Sequence, residues 1–373
     1  MHNHRPRNRA IPKLAIGAVL LLIAIGGGYY AYWRYVAAQL TMGIERWAAD
    51  QRAFGNQVMF TWSRIEGFPF AFRARFEQPK LHMRLVGAEV DWQGSDLMAE
   101  MSPWNLQEVR IASTGEHNLW LQALEQPGQW RLATIGFTGA VGFFGDGGLR
   151  EIAAELAQPD AALPDGLAIA AGQAKLRLSL PEAPPVDYSM PFAGVALELS
   201  RLVLPVGTRL LTTDPVEHAS IDATIMGPMA APLTQALGAQ ALDQPMPQPA
   251  PPSLTQILAA WRDSGGDIEV QSFSFAQGPL SLTGEATLAL DGSLQPLGAG
   301  TVTARGLSEA VEILLRDGLI PADRALVART TAKALERTGD DGKPQAKFAL
   351  SLQNQTISFG PAPLLQVPQV VWP

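Results

Sequence analysis

The chain has 373 residues, 47% of them hydrophobic and 17% charged, with a formal net charge of -7. It contains no cysteine, which excludes disulfides, zinc–thiolate sites, thiol nucleophiles and a lipidated cysteine. Arg5, Arg7, Arg9 and Lys13 lie at the N-terminus without an acidic neighbour, leaving 24 cationic against 35 acidic side chains in the rest. Such a balance speaks against nucleic acid as a partner, because phosphate contacts need clustered Lys and Arg.

Leu14 to Trp33 is a run of 20 residues without a charge. As a helix it spans about 30 Å, the thickness of a bilayer core. Tyr29, Tyr30, Tyr32, Trp33 and Tyr35 close it, residue types that sit at headgroup depth. The pattern predicts a cytoplasmic basic tail (1–13), a transmembrane anchor (14–33) embedded in membrane lipid, and a body on the far side. A cleaved signal peptide is the alternative, but bulky aromatics stand where a small-x-small cleavage site would be.

Val36, Leu40, Ile44 and Trp47 recur at helical spacing, so the helix is expected to continue to about Ala53, where Gly55 and Asn56 stop it. A hairpin follows. Val58, Phe60 and Trp62 share one face, Phe70, Phe72, Ala74 and Phe76 another, and Glu66-Gly67-Phe68-Pro69 is the turn. Further strands are predicted in Glu89–Met101, Glu108–Leu121, Gln129–Thr138, Leu167–Leu180, Val195–Leu204 and Ile221–Ile225, with Leu149–Leu156 the one helical stretch among them. Strands in succession without helices between them argue for antiparallel pairing.

Pro245, Pro247, Pro249, Pro251 and Pro252 mark 237–253 as a linker or surface excursion between a β-rich region (34–236) and a second one (254–373). In the latter, Leu254–Trp261 reads as a short helix. Ile268 and Val270 alternate before the register slips to Phe273 and Phe275, which predicts a bulge. Leu280, Leu282, Gly284, Ala286, Leu288 and Leu290 keep strict parity, and Asp291-Gly292 turns the chain toward a strand near Thr301. Ser308 is the expected cap of a helix ending at Gly318. Pro321 opens another, with Leu326, Thr330, Ala334 and Leu335 on one side and Gly339 as its stop. Phe348, Leu350, Leu352, Ile357 and Phe359 make a closing hairpin. The expected fold is α+β: one N-terminal transmembrane helix, then a mostly antiparallel, elongated or curved sheet with a few short helices.

The basic tail and span, Trp47, Gly67-Phe68-Pro69-Phe70, the stretch SGGDIEVQSFSFAQGPLSLTGEATLALD, GLIPADRA, and the closing SLQNQTISFGPAPLLQVP together resemble the alphaproteobacterial domain-of-unknown-function family 2125. The resemblance covers nearly the whole chain and is weakest from about Leu149 to Gln248. It implies an envelope protein of the bacterial inner membrane, single-pass, with its N-terminus cytoplasmic and its body periplasmic. In architecture the chain is more distantly similar to AsmA-like proteins, in which an N-terminal span precedes a long, curved sheet, and which are associated with phospholipid traffic.

Chemistry is sparse. His2, His4, His82, His117 and His218 have no metal-ligand spacing, and no nucleophile-elbow motif is present. Gly142, Gly145, Gly147 and Gly148 lack the Lys and Ser/Thr of a phosphate loop and read as a β-to-α connection. Glu151 with Glu155 is expected on a solvated helix face, and Asp340 with Asp341 just after a helix end. The expectation is a non-enzymatic protein without a cofactor. Its candidate site is an apolar sheet face, either filled core or lipid-facing groove, carrying Phe60, Trp62, Phe70, Phe72, Phe76, Leu280, Leu282, Leu288 and Leu290. Bound phospholipid is the expected ligand; the alternative is a scaffold that binds another envelope protein.

Overall fold

The computed structural model describes residues 10–85, 88–123, 128–164, 166–205, 215–229, 253–318, 320–339, 342–359 and 362–372. The proposed linker therefore lies outside the described residues, apart from Ser253, as do Asp340, Asp341, His2 and His4. Helix α1 (Ala10–Ala53) is followed by β1 (Gln57–Trp62), β2 (Phe72–Leu85), β3 (Ala88–Gly94), β4 (Leu97–Ser102), β5 (Asn105–Ala123), β6 (Gln129–Phe143), β7 (Leu149–Ala157), β8 (Asp160–Ala162), β9 (Ala168–Ala170), β10 (Gln173–Ser179), β11 (Pro191–Leu202) and β12 (Val216–Met226). Then come α2 (Leu254–Asp263), β13 (Ile268–Gln277), β14 (Leu280–Leu290), β15 (Pro296–Arg305), α3 (Leu307–Arg316), α4 (Ala322–Leu335), β16 (Arg337–Thr338), β17 (Pro344–Gln353), β18 (Thr356–Phe359) and β19 (Ala362–Gln366).

The nineteen strands join into one sheet, and every pairing among the described residues is antiparallel. Neighbours in sequence are neighbours in space. The path runs β1–β2, then β3 and β4 end to end, β5, β6, β7, β10, β11, β12, β13, β14, β15, β17, β18 and β19. At ~4.8 Å per strand it is roughly 65 Å wide. β12 and β13, which flank the proline-rich stretch, pair directly from His218↔Ala276 to Ile225↔Ile268.

The first part of α1 is long and apolar enough to cross a membrane, by length and composition. Its second part docks on the sheet. Trp33, Ala37 and Phe72 form a buried cluster with Val36, Leu40, Ile65 and Met101 packed against it. Two to three turns further on, Ala48 is buried, as is Val58 on β1, and Arg52 donates two hydrogen bonds to the Val58 carbonyl. The hairpin turn that leads into β2 needs Gly67: its φ is +102°, and a Cβ there would stand 2.7 Å from the Ala71 carbonyl oxygen.

Several expectations hold in detail. The helix expected from Leu254 forms as α2, and its N-cap Ser253 adds a capping box, the Ser253 hydroxyl accepting from the Gln256 N–H while the Gln256 side chain accepts from that of Ser253. The slip after Val270 is a register shift in both ladders of β13.

Others are corrected. Leu149–Leu156 is not a helix but strand β7, hydrogen-bonded on both sides, to β6 and β10. Ala, Leu and Glu favour a helix by only a few tenths of a kcal/mol per residue, and a place between two strands outweighs that. Glu151 and Glu155 therefore sit on a strand. Gly145, Gly147 and Gly148 before it belong to a strand-to-strand turn in which the Phe144 N–H meets the Gly148 carbonyl, while Gly142 lies in β6. Ser308 does not cap α3; the N-cap is Gly306, at φ +71°. The Ser308 hydroxyl instead donates to Glu336. A Cβ on Gly306 would fall 1.9 Å from the Pro279 carbonyl oxygen, so only glycine fits at this cap against the β13–β14 turn. On α4, Leu326 is 63% exposed while Ala325 and Ala332 are buried. Small residues let that helix approach closely, and the predicted stripe of Leu326, Thr330 and Ala334 is its outer side. Phe70 lies in the turn before β2, not on the strand, and is 75% exposed.

Candidate functional site

Directly opposed residues in a sheet point to the same side, so the registers define its two faces. One line runs Ala74, Ala99, Ile111, Gly139, Ala154, Leu176, Leu197, Ile221, Phe273, Gly284, Val302 and Phe348, from β2 to β17. No member is polar. A second line, two residues along, runs Trp62, Phe76, Leu97, Ser113, Phe137, Leu156, Ala174, Leu199, Ala219, Phe275, Leu282, Ala304 and Ala346. Its one polar member, Ser113, sends its hydroxyl hydrogen to the Asp96 carbonyl at 2.7 Å.

The residues between belong to the opposite face: Arg73, Glu100, Arg110, Ala140, Ala153, Arg177, Ala196, Asp222 and Ser272 follow one another across the same strands. Cross-strand ion pairs such as Arg73–Glu100, Arg84–Glu89 and Lys175–Glu198 lie there. At exposed positions each contributes about 0–1 kcal/mol. A shallow trough of about 550 Å³ crosses this charged side, with Ala140, Ala153 and Ala196 among its lining residues, together with Glu108, Arg110, Glu155, Lys175, Arg177 and Glu198. Among the described residues, no group of three or more His, Asp or Glu is placed to hold a metal ion.

Helices cover the apolar face at its two ends. α1 buries Phe72 and Val58. At the far end α3 and α4 pack on each other and against β14 and β17, where Val302, Ala304 and Ala346 are buried. α2 closes the end of β12, with the Trp261 indole donating to the Met226 carbonyl at 2.7 Å. Between these covers no described element roofs the face: Leu176 is 44% and Ile221 39% exposed in the middle of the sheet. Apolar side chains at the centre of a large sheet are normally covered by a second layer.

The structure thus brings Trp62, Phe76 and Leu282 onto one register line, although β2 and β14 are roughly 40 Å apart along the sheet. Leu288 lies on the same side, opposite Ile268 and Gly298. Phe60 meets Phe76 edge to face, with ring centroids 5.3 Å apart. Leu280 and Leu290 stand at the two ends of β14. Phe72 is core beneath α1, and Phe70 is away from the face. The most exposed members of the central line, Leu176 and Ile221, escaped the sequence reading. Their alternation with Arg177 and Asp222 was visible, but the misread β7 hid the continuity between the two halves.

A crease crosses this face. β2 has an irregular step at Gln78 (φ +42°), β3 and β4 are separated at Ser95–Asp96, and β5 shifts register between Thr114 and His117. β7 and β8 are separated at Gln158 (φ +46°). Bulges bend strands and raise their twist, so aligned ones bend the sheet along a line. His117 lies in the bend, only 3% exposed. It stacks on Trp92 at 5.8 Å and meets Phe137 edge-on at 4.9 Å. Its Nε2 is 2.6 Å from the Ser113 hydroxyl. Since that hydroxyl donates to Asp96, Nε2 must be the donor, and Nδ1 faces Gly94 without a partner. Burial holds the imidazole pKa below its usual value. A Ser–His contact suggests a nucleophile and its base, but here the serine proton points away, both residues are buried and no carboxylate orients the ring. The pair braces the crease.

A family model described as an uncharacterised protein conserved in bacteria, DUF2125, matches residues 33–368. The chain belongs to this family. The match opens at Trp33, the residue that plugs α1 into the sheet of this DUF2125 chain. No curated protein and no solved structure matches it.

Proposed function

We propose that this DUF2125 protein is an anchored component of the bacterial inner membrane, its N-terminus cytoplasmic and its body periplasmic, that holds lipid acyl chains on its apolar sheet face without catalysing a reaction. The observation that carries the reading is the open middle of that face: an unbroken apolar line, roofed at both ends and exposed at Leu176 and Ile221. Acyl chains are natural occupants, since each buried CH₂ contributes about 0.8 kcal/mol. The architecture, a span leading into a long antiparallel sheet, is similar to that of AsmA-like proteins, which supports the lipid reading by analogy. Trp33 supports an uncleaved anchor, because removing α1 up to the aromatic cluster would strip a side chain from the core.

Two experiments test this. Phospholipid with a photoreactive acyl chain, added to the full chain in proteoliposomes, is expected to label β10–β12 as well as α1. Leu176→Asp and Ile221→Asp each forfeit an apolar contact of about 1.5–3 kcal/mol, so labelling of β10–β12 should fall about tenfold or more while that of α1 persists. Labelling confined to α1 in the parent removes the lipid reading and leaves a scaffold for another envelope protein. For topology, an impermeant thiol reagent applied to spheroplasts is expected to modify Asn354→Cys and to spare Asn8→Cys. The chain has no native cysteine, so the probes are clean. The reverse pattern would overturn the orientation.

A further inference from the structure

Where the apolar run of α1 ends, the helix is ringed by two loops of the body. The Tyr29 hydroxyl donates to the Pro69 carbonyl, that of Tyr32 to the Pro103 carbonyl at 3.2 Å, and the Trp33 indole to the Ala71 carbonyl at 3.2 Å. Tyr29 also meets the rings of Phe68 and Trp104, at 5.9 and 5.7 Å, and Tyr30 that of Phe68 at 5.3 Å. These contacts fix both loops at the same level on the helix. Yet each loop turns an aromatic outward: Phe70 is 75% exposed and Trp104 66%, with Phe68 at 46%. Exposed apolar residues scattered singly are ordinary, but these three aromatics cluster around the end of the apolar run. At headgroup depth, where Tyr and Trp accumulate, they are in a favourable solvent.

We propose that the 66–71 and 102–105 loops form a second membrane contact, with Phe70 and Trp104 resting in the headgroup–acyl boundary of the leaflet from which α1 emerges. The inference rests on the anchor reading and deepens it. The β2–β4 end of the sheet is then seated on the bilayer instead of hanging from a tether. The apolar line starts beneath α1 at that end and opens farther along the sheet, at Leu176 and Ile221.

Nitroxides at Phe70→Cys and Trp104→Cys, in the full chain reconstituted in phosphatidylcholine–phosphatidylglycerol vesicles, report depth through collision with oxygen against a water-soluble nickel chelate. Leu22→Cys, within the apolar run, is the bilayer reference, and Val186→Cys, on an 81% exposed loop residue, is the water reference. Phe70 and Trp104 are expected to fall between the two, with nickel collisions largely lost relative to Val186. Both replace exposed side chains, and an unchanged protease-resistant body verifies the fold. Nickel access equal to that at Val186, with Leu22 deep, overturns the second contact and spares the anchor. Water access at Leu22 itself overturns both.

Discussion

Trp33→Ala is expected to cost about 3–5 kcal/mol and to release α1 from the sheet. Trp33 is only 5% exposed, stacks on Phe72 at 5.2 Å with its ring 21° from parallel, and meets Phe68 edge-on at 5.6 Å. Its loss leaves a cavity lined by Ala37, Val36, Leu40 and Met101 and deprives the Ala71 carbonyl of its indole donor. Hydrogen exchange should quicken from residue 36 to 52 and along β2, and the urea midpoint of the body should fall. Tyr35→Ala, at a 64% exposed position two residues away, is the control, with an expected change within about 0.5 kcal/mol. Equal effects of the two substitutions would mean that the helix is merely tethered.

Gly94→Ala is expected to cost about 3 kcal/mol, the upper end for an overpacked site. The new methyl would lie 2.2 Å from His117 Nδ1, and Trp92 and Phe137 leave the ring little room to retreat. The same histidine sets an acid sensitivity. Burial depresses its pKa in the folded protein, whereas in the unfolded chain it titrates near ~6.5. Above that pH both states hold a neutral ring and the contribution to stability is complete. Below it the unfolded chain takes up a proton that the fold refuses, so stability falls on acidification toward the folded pKa. Urea midpoints between about pH 7 and 5.5 should fall in the parent, above the range where carboxylates titrate. In His117→Leu that slope should flatten, with little change at pH 7, because Ser113 keeps its bond to Asp96. An unchanged slope in His117→Leu would place the acid sensitivity elsewhere.

Sequence periodicity revealed most strands because their two faces differ sharply. Leu282 and Leu288 stand between Ser281, Thr283, Glu285 and Thr287, and only one parity buries the apolar set. Periodicity misleads where local preference and position disagree. In β7 the residues Arg150, Glu151, Ala153, Ala154, Glu155 and Leu156 are good helix formers, and only the ladders on both sides decide the outcome. His117 was passed over for a related reason. Ligand spacing relates a histidine to other metal-binding residues, whereas the role of His117 follows from a bulge that aligns it with Trp92. Exposure of Leu176 and Ile221 was equally illegible, because alternation tells which face is apolar but not whether anything lies upon it.

The order of the sheet has a bearing on how such a chain is made. Each main strand is joined to one shortly before it in the sequence, β4 reaching past β3 to β2, with β8–β9 and β16 as minor insertions. A polypeptide delivered N-terminus first can therefore add strands to an edge already formed, and among the described strands none waits for a distant late partner. Loop-closure entropy is met in small steps, as in repeat proteins whose stability is a sum of nearest-neighbour terms. The growing margin is always an unpaired strand, the most aggregation-prone element of any sheet. Tethering that margin to its own emerging continuation, beside a helix fixed at the start, keeps other chains from reaching it first.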